Sequence, residues 1–282
     1  MRIIRTVHEV RVAVAEARAA GRIVGLVPTM GAFHAGHLSL MQVARTQTDL
    51  VVVSLFVNPT QFAAGEDLSA YPRDEQRDAD MARGEGVDIL FAPEPAEVYP
   101  DGFSTTIHVS SITDVLCGAT RGPQHFDGVA TVVAKMLGMV APDVAFFGQK
   151  DAQQVLVVRR LVRDLDIPVR IEACPIVREP DGLAMSSRNV YLDPAARVQA
   201  TALQRALAAA DAAAKAGERD AAVLVAAAAA VLADAGIEPE YLELRATDDL
   251  RLLDRVEEEG LLAVAARVGG ARLIDNCVLR PN

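Results

Sequence analysis

This chain has no basic tract: 28 Lys and Arg stand against 38 Asp and Glu, a formal charge of −10. Nucleic acid and anionic membrane surfaces are therefore poor matches as partners. Cysteine is scarce, and Cys117, Cys174 and Cys277 are isolated, with no CxxC pair among them. An odd number of scattered cysteines argues against a disulfide framework and for packed thiols in a reducing compartment. The N-terminal residues Met1-Arg2-Ile3-Ile4-Arg5-Thr6-Val7-His8-Glu9 lack the apolar core of a secretion signal. The longest apolar run, Ala221 to Ala233, is too short and too alanine-rich to span a bilayer. A cytoplasmic protein is expected. No internal repeat is visible.

Apolar residues are not scarce. They make up 51% of 282 residues, enough for one large or two ordinary domains. From Arg22 to about Cys174, short β-branched runs alternate with helix-length amphipathic stretches. Strands are expected at Ile23–Val27, Leu50–Val57, Val87–Phe91, Val144–Phe147 and Val169–Ala173, with Thr105–Val109 as a further candidate. Helices are expected near Leu38–Thr46, Asp74–Arg83, Val129–Val140 and Ala152–Asp164. Near-continuous apolar strands separated by helices indicate a parallel sheet covered on both faces. Ligands of such sheets bind beyond the carboxyl ends of the strands.

The composition changes around Glu179-Pro180-Asp181-Gly182. Asp193-Pro194 reads as a helix start, with Asp as cap and Pro at the first helical position. The alanine-rich stretch to about Ala235 reads as two helices broken near Gly217. Leu203, Leu207, Val223, Leu224, Val231 and Leu232 give them an apolar face. Tyr241–Arg245, Gly260–Ala265 and Arg272–Asn276 read as a small antiparallel sheet.

Three segments after expected strands carry chemistry. The first, Pro28-Thr29-Met30-Gly31-Ala32-Phe33-His34-Ala35-Gly36-His37, turns from strand to helix through two glycines. Its unpaired N–H groups and positive helix end would suit a phosphate. His34 and His37, three apart, share a face and can both donate to phosphate oxygens. A zinc site and ordinary capping histidines are the competing readings. Zinc would want further ligands at orderly spacing, and the other histidines are only His8, His108 and His125.

The turn Asn58-Pro59-Thr60-Gln61-Phe62 offers two amides to a polar ligand, or is a common Asn-Pro turn. The second strong segment is Phe146-Phe147-Gly148-Gln149-Lys150-Asp151-Ala152-Gln153-Gln154. It places a glycine and a cation where a helix begins, though a capped surface helix would look the same. The third runs from Val177 to Asn189 and holds Met185-Ser186-Ser187-Arg188. Two hydroxyls and an arginine suit phosphate oxygens, and the flanking Asp-Gly allows a lid to move. A serine-capped turn joining domains is the alternative.

Together these stretches closely resemble the pantothenate synthetase family, the ATP-dependent pantoate–β-alanine ligases. They belong to the HIGH-motif nucleotidyltransferase superfamily, which also includes class I aminoacyl-tRNA synthetases. The resemblance runs over nearly all residues, through Pro28–His37, Phe56–Phe62, Tyr71-Pro72-Arg73, Phe147–Gln154 and Val177–Asn189. It implies an α/β fold: a Rossmann-like doubly wound parallel sheet over residues 1–176, binding nucleotide and pantoate. A smaller C-terminal α+β lid domain would cover 177–282.

The same resemblance implies an ATP site at Met30, Gly31, Ala32, Phe33, His34, Ala35, Gly36, His37, Gly148, Gln149, Lys150, Asp151, Val177, Met185, Ser186, Ser187 and Arg188. His37, His34, Lys150, Ser186, Ser187 and Arg188 would act in the chemistry. Gln61, Gln154 and Asn58 would bind pantoate or β-alanine. Asp78 lies near where the family contacts magnesium, which would accompany ATP as co-substrate, with no tightly bound organic cofactor. A homodimer is implied by the family alone. Where relatives commonly carry Arg-Pro-x-His-Phe, this chain reads Arg121-Gly122-Pro123-Gln124-His125-Phe126, and the extra residue leaves the role of Arg121 open. Two other readings stand beside the ligase. One is an adenylyltransferase acting on another small carboxylate or phosphate. The other is a nucleotide-binding regulator without catalysis, against which His34, His37, Lys150 and Arg188 all argue.

Overall fold

A computed structural model describes residues 1–62 and 68–281. In chain order it begins with β1 (Arg2–Ile4), α1 (Val7–Ala19), β2 (Val24–Thr29), α2 (Ala35–Gln47) and β3 (Leu50–Leu55). There follow α3 (Glu75–Gly84), β4 (Ile89–Phe91), α4 (Pro95–Val98), α5 (Cys117–Arg121), α6 (Pro123–Val140) and β5 (Val144–Gly148). Next come α7 (Ala152–Asp164), β6 (Arg170–Cys174), α8 (Pro194–Ala200), α9 (Ala202–Lys215) and α10 (Ala221–Asp234). The last three elements are β7 (Pro239–Arg245), β8 (Gly260–Val268) and β9 (Ala271–Leu279).

The chain divides into two compact units, the first made of Met1–Ser110, Arg121–Gln149 and Gln154–Pro175. Its six strands are all parallel, in the order β1-β4-β3-β2-β5-β6. From β2 the chain winds outward through β3 to β4, then returns to place β5 and β6 on the other side of β2. The sheet is thus doubly wound, and its winding reverses between β2 and β5, where open α/β sheets hold their ligands. Val27, Val51, Val53, Leu90 and Phe146 are buried against Phe33, Leu40, Met41 and Ala44, with Ala79 and Ala82 of α3 in the same core. Burial of both faces explains why these strands read as unbroken apolar runs.

The second unit comprises Ser111–Thr120, Lys150–Gln153 and the chain from Ile176 onward. Its sheet is antiparallel, in the order β7-β8-β9. Leu203, Leu207, Leu224 and Leu232 of α9 and α10 share a core with Leu262 and Val264 of β8. Asp193 caps α8 by accepting the Ala196 N–H at 2.8 Å, with Pro194 in the first turn.

Two expectations change, and the opening residues gain elements that the pattern does not assign. Thr105–Val109 forms no strand; the Ile107 N–H goes instead to Thr131 Oγ1 of α6, 2.9 Å away. The alanine-rich region contains three helices, because the chain also breaks at Thr201. The opening residues form β1 and α1, and α1 starts with a reciprocal cap: Thr6 Oγ1 accepts the Glu9 N–H and Glu9 Oε2 accepts the Thr6 N–H. No helix among the described residues is long and apolar enough to cross a membrane. Burial pushes the Cys174 thiol up to about 11 and the Cys277 thiol up to about 12, which keeps both protonated at neutral pH.

Candidate active site

The loop after β2 is built around a buried carboxylate. Gly31 and Ala32 both have left-handed backbone, with φ of 86° and 53°. The loop turns two successive N–H groups, those of Ala32 and Phe33, toward one anion. The anion they face is Asp78 of α3, whose Oδ2 accepts the Ala32 N–H and whose Oδ1 accepts the Phe33 N–H, both at 2.8 Å. A side chain at Gly31 would meet Leu55 Cδ1 at 2.7 Å and Asp78 Oδ2 at 3.0 Å, so glycine is required for both space and φ. Phe33 inserts into the core and pins the loop to the sheet. Burial raises the Asp78 pKa, and the two N–H bonds offset part of that rise.

This arrangement corrects the expectation that bare N–H groups of the turn face a ligand. Those of Ala32 and Phe33 go to Asp78, that of Gly36 to His34 Nδ1 at 3.1 Å, and that of His37 to the His34 carbonyl at 2.8 Å. What the turn presents is imidazole. The ring centroids of His34 and His37 lie 4.2 Å apart, so the pair expected from spacing is assembled. Because His34 Nδ1 accepts, the neutral ring carries its proton on Nε2 as a donor. Phe33 also packs against His37, with centroids 5.4 Å apart.

Asp78 does not fit a magnesium site. Both oxygens are committed to backbone N–H groups and the residue is 1% exposed, whereas magnesium keeps several waters and demands open octahedral geometry. Among the described residues no group of three or more His, Cys, Asp or Glu side chains is placed to hold a metal ion.

The turn after β3 is equally closely held. Asn58, expected to touch a ligand, is 1% exposed and turned inward. Its Nδ2 donates to Gln61 Oε1 and to the Gly128 carbonyl, both at 3.1 Å, while its Oδ1 accepts from Tyr99 OH at 2.8 Å and Thr60 Oγ1 at 2.9 Å. Gln61 Nε2 points the other way, toward Met30 Sδ at 3.1 Å. Asn58 therefore orients Gln61, leaving the Gln61 amide nitrogen on the Met30 side. α6 closes over this turn. A Cβ at Gly128 would lie 2.5 Å from the Thr60 carbonyl oxygen. Gly128→Ala is accordingly expected to cost about 1–3 kcal/mol of stability, measured by urea unfolding; an unchanged midpoint would contradict this packing. Gly148 ends β5, the neighbour of β2, Gln149 opens the short turn that follows it, and Gln154 lies half-buried in the first turn of α7.

In the second unit, two neighbouring polar residues of β9 hold the remaining candidates. Asn276 Nδ2 donates to the Lys150 carbonyl at 3.0 Å, fixing the backbone that carries Lys150. The Lys150 ammonium is 3.9 Å from Asp151. Asp275 receives Arg178 through both oxygens, at 2.6 and 3.1 Å. Arg178 pairs with Ala184 across a tight hairpin, and the Met185 N–H donates to the Val177 carbonyl at 3.0 Å. Arg197 grips the same hairpin through Glu179 and Asp181, holding both carboxyls below their usual range. Ser186 caps the turn at 187–191 by accepting the Arg188 N–H at 3.2 Å. Ser186, Ser187 and Arg188 thus follow a firmly anchored hairpin.

Asp275 and Asn276 escape a reading by motif. Their signal is a polar pair within the otherwise apolar strand Leu273–Leu279, since buried polar groups persist where they have partners. Gln153 is similar: it lies beside Gln154, and its amide joins the Cys117 N–H at 3.0 Å to the Ile112 and Val115 carbonyls, both at 2.7 Å.

Known proteins resemble the chain over its whole length. The family model described as pantoate-beta-alanine ligase matches residues 2–278. A pantothenate synthetase of Roseiflexus castenholzii is 54% identical over 280 residues, 99% of each chain. One from Chelativorans sp. is 56% identical over 274 residues, 97% of this chain and 96% of its own. A crystal structure of the Thermus thermophilus pantothenate synthetase superposes with a TM-score of 0.95 at 46% identity, covering all of both chains. The Francisella tularensis pantoate-beta-alanine ligase, complexed with beta-gamma ATP and beta-alanine, has a TM-score of 0.79 at 32% identity and covers 99% of this chain and 97% of its own.

Proposed function

The chain belongs to the pantoate–β-alanine ligase family, enzymes that form an amide bond, and from this premise we propose that it makes pantothenate through a pantoyl-adenylate intermediate. In the first half-reaction a pantoate carboxylate oxygen attacks the α-phosphorus of ATP, and the bond to the β-phosphate oxygen breaks to release pyrophosphate. In the second, the β-alanine ammonium gives up a proton to solvent, its free amine attacks the acyl carbon, the bond to the AMP oxygen breaks, and the nitrogen loses a second proton to leave the amide. A carboxylate with a pKa of about 3.5 is already ionised at neutral pH, so the first step needs no base. It needs in-line placement and donors for the charge that grows on phosphate.

The observation that carries this reading is the paired imidazoles of His34 and His37, held by the Asp78-anchored loop beside the point where the sheet reverses. We assign both rings as donors to phosphate oxygens in the transition state. Lys150, Ser186, Ser187 and Arg188 are assigned to the same charge, and the hairpin-borne Ser-Ser-Arg segment to keeping water from the adenylate. Gln61 and Gln154 are assigned to pantoate. Magnesium is proposed to enter with the phosphates of ATP, and no step is assigned to it. A cytoplasmic homodimer completes the proposal.

The test is to mix ATP, Mg²⁺ and pantoate with and without β-alanine and identify products by mass spectrometry. Pantoyl adenylate and pyrophosphate are expected in the first mixture, and pantothenate with AMP only in the second. AMP retained on a final product would instead mark an adenylyltransferase. Gln61→Ala is expected to weaken pantoate binding about 10-fold, for loss of one oriented donor, with ATP affinity little changed. Titration calorimetry showing the reverse would overturn the assignment.

A further inference from the structure

We propose that His125 is a positioning residue for the acid substrate, acting through the backbone of the Gln61 turn, and that Arg121 fixes its tautomer. The inference rests on the assignment of Gln61 to pantoate. His125 Nδ1 lies 2.9 Å from the Gln61 carbonyl oxygen, an atom that only accepts, so Nδ1 carries a proton. Nε2 lies 2.8 Å from Arg121 Nη1, which only donates, so Nε2 presents its lone pair. The neutral ring satisfies both neighbours in one tautomer and one orientation. A flipped ring or the other tautomer would set donor against donor or acceptor against acceptor.

Arg121 is the last residue of α5 and His125 the third of α6. Between them Gly122 has φ of 85° and Pro123 opens α6, a bend that brings the guanidinium to the ring. The extra residue in this loop therefore does not prevent Arg121 from reaching His125. The Gln61 turn is held on three sides: at its carbonyl by His125, at its side-chain oxygen by Asn58, and at its Cα by close approach of Gly128, where an added Cβ would lie 2.7 Å away. These contacts leave the turn little freedom to rotate the Gln61 amide away from a substrate. Such pre-orientation lowers the cost of binding without touching the reacting atoms.

The experiment compares His125→Asn, His125→Asp, His125→Phe and Gln61→Ala, measuring KM for pantoate, KM for ATP and kcat of each folded enzyme. Asparagine puts an N–H donor where Nδ1 was, and aspartate has the same shape but only acceptors. The Asn variant is expected within about 3-fold of the wild-type pantoate KM. The Asp and Phe variants are expected to raise it about 10-fold or more, as for loss of one oriented hydrogen bond, with ATP KM unchanged. Should His125→Phe fail to fold, the isosteric Asn and Asp pair decides alone. Equal pantoate KM in those two variants, or a parallel rise in ATP KM, would overturn the proposal while leaving Gln61 in place. An unchanged pantoate KM in Gln61→Ala would instead overturn the assignment on which it rests.

Discussion

His37→Ala is expected to lower the rate of pantoyl-adenylate formation by about 10²-fold or more while the fold stays intact, the usual scale for losing a preorganised transition-state donor. His37 is the third residue of α2, where alanine is a good helix former, so the backbone has no reason to move. Its ring packs at a tilt against those of His34 and Phe33, with centroids 4.2 and 5.4 Å away, and this packing fixes its direction before ATP arrives. A donor that needs no reorganisation contributes most when charge appears on the phosphate oxygens, and little to the ground state. Single-turnover measurement with labelled ATP and saturating pantoate should therefore show a slower chemical step with ATP affinity changed only slightly. His37→Gln, whose amide nitrogen reaches toward the position of Nε2, should recover part of the loss. A wild-type adenylation rate in His37→Ala would remove the ring from the chemistry and leave it as packing.

Much of this was legible in sequence because the physics acts locally. β2, β3 and β5 announce themselves as buried apolar runs, and α7 begins where its pattern begins. The His34–His37 pair is anticipated from helical spacing, although His34 is the extended N-cap of α2 and His37 the third residue of the helix it precedes. What the sequence hid depends on contacts between distant residues. That the N–H groups of Ala32 and Phe33 would be taken by Asp78 cannot be seen from either segment, since 45 and 46 residues separate the partners. Asn58 reads as a ligand contact because its residue type is right, and only the fold shows that Gly128 and Tyr99 use up its amide. The early helix α1 was available locally, in the pair Thr6 and Glu9, but its apolar face, Val10, Ala13, Val14 and Ala17, is small and easily passed over.

Asp78→Ala is expected to damage both stability and catalysis, because it leaves two buried N–H groups without an acceptor. Each such group costs about 1–3 kcal/mol, more when the lost acceptor is charged, so a total near 3 kcal/mol is expected in urea unfolding. Without the carboxylate, Gly31 and Ala32 lose the reason for consecutive left-handed conformations, which for Ala32 are unfavourable by about 1–2 kcal/mol. The loop should relax and His34 and His37 lose their common aim, lowering adenylate formation about 10²-fold. Asp78→Asn should fall between, since one amide oxygen still accepts while its NH₂ opposes the second N–H. The same pair of proteins tests the titration. Burial raises the Asp78 pKa above its unfolded value, so the stability linked to this carboxyl is fully present below the unfolded pKa and declines as pH rises through the folded one. Asp78→Asn cannot titrate, and the wild-type stability relative to it should therefore decrease as pH rises across the carboxylate range. A difference that is constant with pH would mean that burial does not shift this group. Wild-type activity in Asp78→Ala would mean that the loop does not need its anchor.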